Sequence, residues 1–378
     1  VAPQLINLGP ARRIEGAVAA WRWSYLTGTT ADTSGLIALA AECSVAGRRL
    51  AALIWDPLAL DNATGTIYLV PDGALDLVDF LALPRAAGGF VVENEAVLTL
   101  VSAERDLVGG EARAQGPAGL LVMGGMDFGP AAHQPAAAGD CRNYQDLSFS
   151  PLPGTLREAT AVADLWTALG GGPVQRLVGP AAREGSFKSQ AGASRVAHLA
   201  THGFFLGGDC RAATPGTRGV GTLQPDPARK LSADPVNPLL LAGLAFSGAN
   251  REERQDGEDG ILTAYEVASL DLSGVELAVL SACDTGQGRV LAGEGVFGLQ
   301  RAFALAGVRG VIMSLWPVDD ELATAWMEQL YRHHLRDGMA YPLAVREASR
   351  AMLLARRARG LPEHPCRWSP FIGIRTGS

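Results

Sequence analysis

The sequence predicts an α/β protein built on a mostly parallel sheet with helices on both faces. Three observations predict it. The run Leu277 to Leu280 is apolar, partly β-branched, and ends in Ser281-Ala282-Cys283 before a turn over Asp284-Thr285-Gly286. A short, continuously apolar run between Gly-rich turns is the pattern of a strand buried on both faces. Arg195 to Gly203 (RVAHLATHG) has the same shape and delivers His202 and Gly203 to its end. The third observation is the alternation of such runs with helix-length amphipathic segments through the second half of the chain, which implies a parallel sheet covered on both sides.

In order, 10–23 reads as a helix with Ile14, Val18 and Trp21 or Ala19 on one face, and 36–60 as a second, less regular one. Thr66 to Val70 reads as a strand stopped by Pro71-Asp72-Gly73. Val91-Val92 and 96–101 read as hairpin or edge strands, 119–123 as a parallel strand, and the Gly/Ala/Pro-rich 124–149 as loop. A boundary is expected near Ser150, dividing the chain into 1–150 and 151–378. Beyond it the pattern predicts helix 155–169, strand 174–178, helix 182–190, the His202 strand and a long polar stretch 205–259 broken by Pro238 to Phe246. Helix 261–270, the Cys283 strand, helix 295–306, strand 310–315, helices 321–336 and 341–359 and a closing strand 369–374 complete it.

A length of 378 residues suits two halves of ordinary size, and 48% hydrophobic content is enough for sizeable cores. The formal charge of -7 argues against nucleic acid as a direct partner. No run reaches the length of a membrane span and no signal peptide is in view, so neither membrane nor export is expected. The chain starts with Val, so further domains can precede it. Five scattered cysteines (43, 141, 210, 283, 366) without CxxC pairs speak against a disulfide framework and a zinc site, and for a reducing cytoplasm. No metal and no cofactor are expected.

The chemistry sits at the strand ends. In open α/β sheets functional groups gather beyond the carboxyl ends of the strands. A strand-end His202 and a strand-end Cys283, 81 positions apart, are the two halves of a cysteine nucleophile system. Cys283 is the candidate nucleophile, His202 the general acid/base, and the backbone N–H groups of Gly203 and Cys283 the candidate oxyanion donors. The plainer alternative for Cys283 is a buried structural thiol. His198, inside its strand, reads as a packed histidine. Gly293 to Gly298 satisfies GxGxxG, but nine residues separate it from the Cys283 strand and Glu294 would face a pyrophosphate, so nucleotide binding is not expected.

VAHLATHGFF, DGILTAYEV, LAVLSACDTGQG, GEGVFGLQRAFALAGVRGVIMSLWPVDD and WSPFIGI resemble the CHAT domain, a caspase-like group of cysteine peptidases related to separase and the gingipains. The resemblance is dense from Ser148 onward and looser through LINLGPARRIEGAVAAW and IYLVPDGALDLVDFLALP. It implies a caspase-like fold in which 1–150 is a pseudo-protease half and 151–378 the active half, the alternative for the first half being an unrelated α/β domain. It further implies a dyad without a third carboxylate, and an endopeptidase acting on a protein substrate in the bacterial cytosol. Control would come from a regulatory partner or an upstream sensing domain, in defence or regulated cell death.

By the same resemblance Asp319 and Asp320 are candidates for a pocket that takes a basic residue before the scissile bond. They read equally well as caps of the helix that follows. Asp284, beside the cysteine, is a further substrate-binding candidate and replaces the Arg-containing caspase signature. Arg251 and Arg254 are candidate self-processing positions in a charged loop. The competing class is a non-catalytic interaction scaffold that keeps the fold.

Overall fold

The computed structural model describes residues 3–29, 33–107, 118–130, 147–205, 237–251, 257–282, 289–291 and 295–376. In chain order its regular elements are α1 (Ala11–Thr29), α2 (Thr33–Ile54), β1 (Thr66–Leu69), β2 (Val97–Val101), β3 (Leu120–Gly124), α3 (Pro153–Ala168), β4 (Val174–Val178), α4 (Glu184–Gln190), β5 (Val196–Ala200), β6 (Gly203–Phe205) and β7 (Ala242–Ala245). There follow β8 (Ile261–Thr263), α5 (Ala264–Val267), β9 (Leu277–Ser281), β10 (Arg289–Leu291), β11 (Gly295–Phe297), α6 (Leu299–Leu305), β12 (Gly310–Ser314), α7 (Asp320–Tyr331), α8 (Tyr341–Ala358) and β13 (Phe371–Arg375).

One eight-stranded sheet in the order β1-β2-β13-β12-β9-β5-β3-β4 carries the molecule. Every neighbouring pair in it is parallel except β12 with β13. The sheet is therefore two parallel blocks, β1-β2-β13 and β12-β9-β5-β3-β4, joined at one antiparallel seam. β3 precedes Ser150 yet lies between β4 and β5, which follow it, so the sheet runs on across that position. Parallel neighbours need crossovers, and right-handed ones put α3 on one face and α4 and α6 on the other. α7 packs on α3, and α8 on α7, β2 and β13, extending the first layer. On the opposite side Phe187 of α4 meets Phe303 of α6.

Strands covered on both faces must be apolar throughout. β5 and β9 are buried at every residue. The single polar side chain within β5, His198, is satisfied in the core: Nε2 meets Glu158 Oε1 of α3 at 2.9 Å and Nδ1 meets the Tyr331 hydroxyl of α7 at 3.0 Å. This is the packed histidine the sequence suggests, and it ties both helices to the strand.

Several element readings change. β2 is an interior parallel strand, and Val91–Glu93 is a 3-10 turn rather than its hairpin mate. The run 261–270 is a three-residue strand followed by a single capped turn, because Thr263 and Glu266 form a reciprocal capping box immediately after β8. Gly295–Phe297 is a strand paired antiparallel with β10, so the apparent GxGxxG does not open a helix directly. Among the described residues no helix is long and apolar enough to cross a membrane.

Asp79, buried beneath β2 and β13, has Oδ1 accepting from Leu81 N at 3.1 Å and a bond to the Ser369 side chain, and burial pushes its carboxyl up to about 7. A raised folded-state value means the native state keeps a proton that the unfolded chain releases, so this contribution is full below about pH 4 and lost as pH climbs towards 7. Asp79→Asn should therefore gain stability on the native protein by more than about 1 kcal/mol between pH 5 and pH 8, read from urea unfolding. An unchanging gap would refute the buried carboxyl.

Candidate active site

The carboxyl ends of β5 and β9 lie side by side. Their register pairs Val196 with Leu277 and ends at Ala200 with Ser281, an offset of 81 residues. His202 is two residues beyond Ala200 and Cys283 two beyond Ser281. The offset between the two sequence-predicted functional residues is thus that of the strand pairing itself. Cys283 and Asp284 lie outside the described residues, as does Arg254. The chain leading to Cys283 is anchored: Thr201 N donates to Ser281 O at 3.3 Å and Ser314 Oγ donates to Ala282 O at 2.9 Å.

β5 stops at Ala200 rather than running to Gly203, because the chain leaves the main sheet to pair with β7. The Thr201 hydroxyl donates to Ala245 O, and Ala245 N donates to His202 O at 3.0 Å. Gly203 is then the first residue of β6, opposite Leu244. Backbone on both sides of the imidazole is therefore fixed.

His202 is buried, its ring packed against Phe128 (centroids 5.2 Å apart) and Phe149 (5.6 Å), which also meet each other at 5.9 Å. Its Nε2 lies 2.7 Å from Ser150 O. A backbone carbonyl can only accept, so Nε2 carries the proton and Nδ1 is the nitrogen whose lone pair can take up another. The orientation of the imidazole is thus fixed by a peptide oxygen. Sequence reasoning did not find Ser150, Phe128 or Phe149. A carbonyl contribution leaves no residue-type signal, and 124–149 reads only as loop.

The two aspartates after β12 have different fates. Asp319 caps α7: its Oδ1 accepts from Glu321 N at 3.0 Å and Leu322 N at 3.1 Å, and its side chain is exposed. Asp320 is buried and accepts through Oδ2 from Gly154 N, at 3.0 Å, in the first turn of α3. A Cβ on residue 154 would stand 2.0 Å from that oxygen, so glycine is what lets the two helix starts meet. Both carboxylates sit in the first turn of α7, where the helix dipole favours them.

Arg251 pairs with Asp127 at 3.0 Å on the surface. Downstream of 252–256, Lys188 of α4 meets Glu184 (2.6 Å), Glu258 (2.9 Å) and Glu266 (2.9 Å). These three glutamates are the set among the described residues whose oxygens converge as cation ligands would, and the Lys188 ammonium already stands among them. Burial pushes Glu184 up to about 8.

Removing the Asp320 carboxylate should leave Gly154 N–H unpaired in the interior. Asp320→Ala is expected to cost about 1–3 kcal/mol in urea unfolding, and Asp320→Asn, which keeps an acceptor, less than half of that. Equal stability of all three proteins would show that the contact does not form.

The pattern of the CHAT domain matches residues 44–378. The human and mouse proteins named tetratricopeptide repeat protein 28 are each 28% identical to it, over 230 and 229 residues, 60% of this chain in both cases. The aligned part is 8% of the human protein and 9% of the mouse protein, so this chain spans about a tenth of those relatives. Among solved structures, it is similar to the Arg-specific cysteine proteinase gingipain R (TM-score 0.49, 10% identity, 97% of this chain and 74% of that one). It is also similar to the Saccharomyces cerevisiae separase–securin complex (TM-score 0.46, 9% identity, 99% of this chain and 23% of that one). With the family pattern spanning the sheet from α2 to β13, the chain belongs to the CHAT domain family.

Proposed function

We propose that the chain is a cysteine endopeptidase of the CHAT family that works through Cys283 and His202. The single observation that carries this reading is the β5–β9 register, whose offset equals that between the two residues and whose strand ends stand adjacent. The Ser150 carbonyl supports it by leaving Nδ1 as the base. In the reaction, Nδ1 takes the Cys283 thiol proton as Sγ bonds to the scissile carbonyl carbon. The oxyanion is held by the N–H groups of Gly203 and Cys283. The C–N bond then breaks and the amine leaves with the proton from the imidazolium. Water, deprotonated by Nδ1, hydrolyses the thioester and frees the acid and the thiol.

For the residue before the scissile bond the proposal keeps a basic side chain. Asp319 is the better placed of the pair: capping engages Oδ1, and its exposed carboxylate can still receive a cation, whereas Asp320 is committed to Gly154. Asp284, next to Cys283 in the sequence, remains a second candidate. Arg254 is the preferred self-processing position, because Arg251 sits in a segment held by backbone bonds to Asp127 and Phe128. A protein substrate and control by a regulatory protein or by helical repeats on the same polypeptide complete the proposal, the repeats being suggested by the relatives' names. The setting proposed is the bacterial cytoplasm, in defence or regulated cell death. The second reading, a caspase-fold interaction scaffold, draws on the same names, which state a repeat and no peptidase.

Fluorogenic peptides varied before the scissile bond separate these readings. Turnover is expected with Arg or Lys there, reduced at least about a thousandfold in Cys283→Ala and in His202→Ala. Asp319→Asn should raise KM for the basic peptides with kcat nearly unchanged. An apolar preference would remove Asp319 from the pocket, and equal turnover by wild type and Cys283→Ala would refute the peptidase.

A further inference from the structure

Asn250 has a role that neither the motif nor the dyad assigns. It is buried, and its three side-chain hydrogen bonds all go to the segments that carry Phe128 and Phe149. Oδ1 accepts from Phe149 N at 2.9 Å; Nδ2 donates to Phe149 O at 2.9 Å and to Gly129 O at 3.2 Å. Its own backbone N donates to Phe128 O at 2.9 Å. The carboxamide thus pairs with both backbone groups of Phe149 as a neighbouring strand would. The residue after Phe149 is Ser150, whose carbonyl holds His202 Nε2. Phe128 and Phe149 are also the two rings against the imidazole.

We propose that Asn250 is a positioning residue for His202, acting by clamping Phe149 so that the Ser150 carbonyl and both flanking rings hold the imidazole in the orientation that presents Nδ1. The inference rests on the dyad of the proposed function. Only an amide can both accept from Phe149 N–H and donate to two carbonyls from one side chain. Leucine would leave the two buried backbone groups of Phe149 and the half-buried Gly129 carbonyl without this partner, and aspartate would set an oxygen against two carbonyl oxygens. Substitution of Asn250 leaves both side chains of the adjoining charged pair, Asp127 and Arg251, in place.

The test is the rate of Cys283 alkylation by iodoacetamide, localised by peptide mapping, at about pH 6 and about pH 9. A thiol paired with an imidazolium stays reactive at the lower value, whereas at the higher one it ionises unaided. Wild type should keep its reactivity at the lower pH and His202→Ala should lose it. Asn250→Ala, and the isosteric Asn250→Asp, should fall about ten- to a hundredfold at the lower pH and stay near wild type at the higher. Ser247→Ala serves as the control. Its hydroxyl is also bound in the interior, accepting from Asp127 N at 3.1 Å and donating to Gly179 O at 2.7 Å, but it does not touch Phe149. It should lower the unfolding midpoint and keep the wild-type pH dependence.

If both Asn250 variants react as wild type, or fall equally at both pH values, Asn250 has no positioning role. Where Asn250→Ala fails to fold, the isosteric variant decides. If wild type and His202→Ala react alike, the dyad itself fails and the inference falls with it.

Discussion

The parallel pairing of β5 with β9 is the constraint on which the rest of the site depends. It sets two strand ends next to each other, and parallel strands can be joined only by long crossovers, which leave the carboxyl edge to loops. Residues 81 apart in sequence become neighbours in register without any local sequence relation. A one-residue slip would exchange the faces of every side chain beyond it. The slip is resisted in the interior: His198 can reach Glu158 and Tyr331 only from the face toward α3 and α7. In the other register an imidazole would lie buried without partners, at a cost of several kcal/mol.

Around that edge, short backbone-directed contacts replace the long packed surfaces of the core. Asp320 draws the start of α3 to the start of α7 through Gly154, and Asn250 fixes Phe149. Ser150 lies between these two anchors and presents its carbonyl to His202. The segment 149–154 is thus held at both ends, by groups from elements more than a hundred residues away in sequence. A loop so held can orient a side chain as firmly as a strand does.

Much of the fold was legible in the residues. β5, β9 and β12 are apolar but for His198 and the closing Ser281 and Ser314, a pattern that only doubly buried strands require, and α8 shows its period clearly. β2 was misplaced because a short run such as VLTLV, four apolar residues and a threonine, looks alike at an edge and in the middle of a sheet. The run 261–270 misled for the opposite reason: a three-residue strand feeds a capped turn too short for periodicity to register. Asp319 and Asp320 were read as either caps or pocket, and capping is a local signal that sequence carries well. Docking of Asp320 on Gly154, 166 positions away, is not local and left no trace.

The site divided in the same way. The adjacent strand ends that carry the proposed nucleophile and base could be read from SACDTG and THG. The Ser150 carbonyl could not, since every residue has one and only the fold decides which carbonyl meets an imidazole. Asn250 lay unnoticed in a polar stretch where its neighbours Arg251 and Arg254 drew the attention of charge.

The most direct test of the account is covalent trapping with a peptidyl acyloxymethyl ketone ending in arginine, followed by mass mapping of the adduct. The account predicts one adduct per chain, on Cys283, that is absent from His202→Ala although Cys283 remains in place. Labelling elsewhere, or labelling of Cys283 that is indifferent to His202, would contradict it.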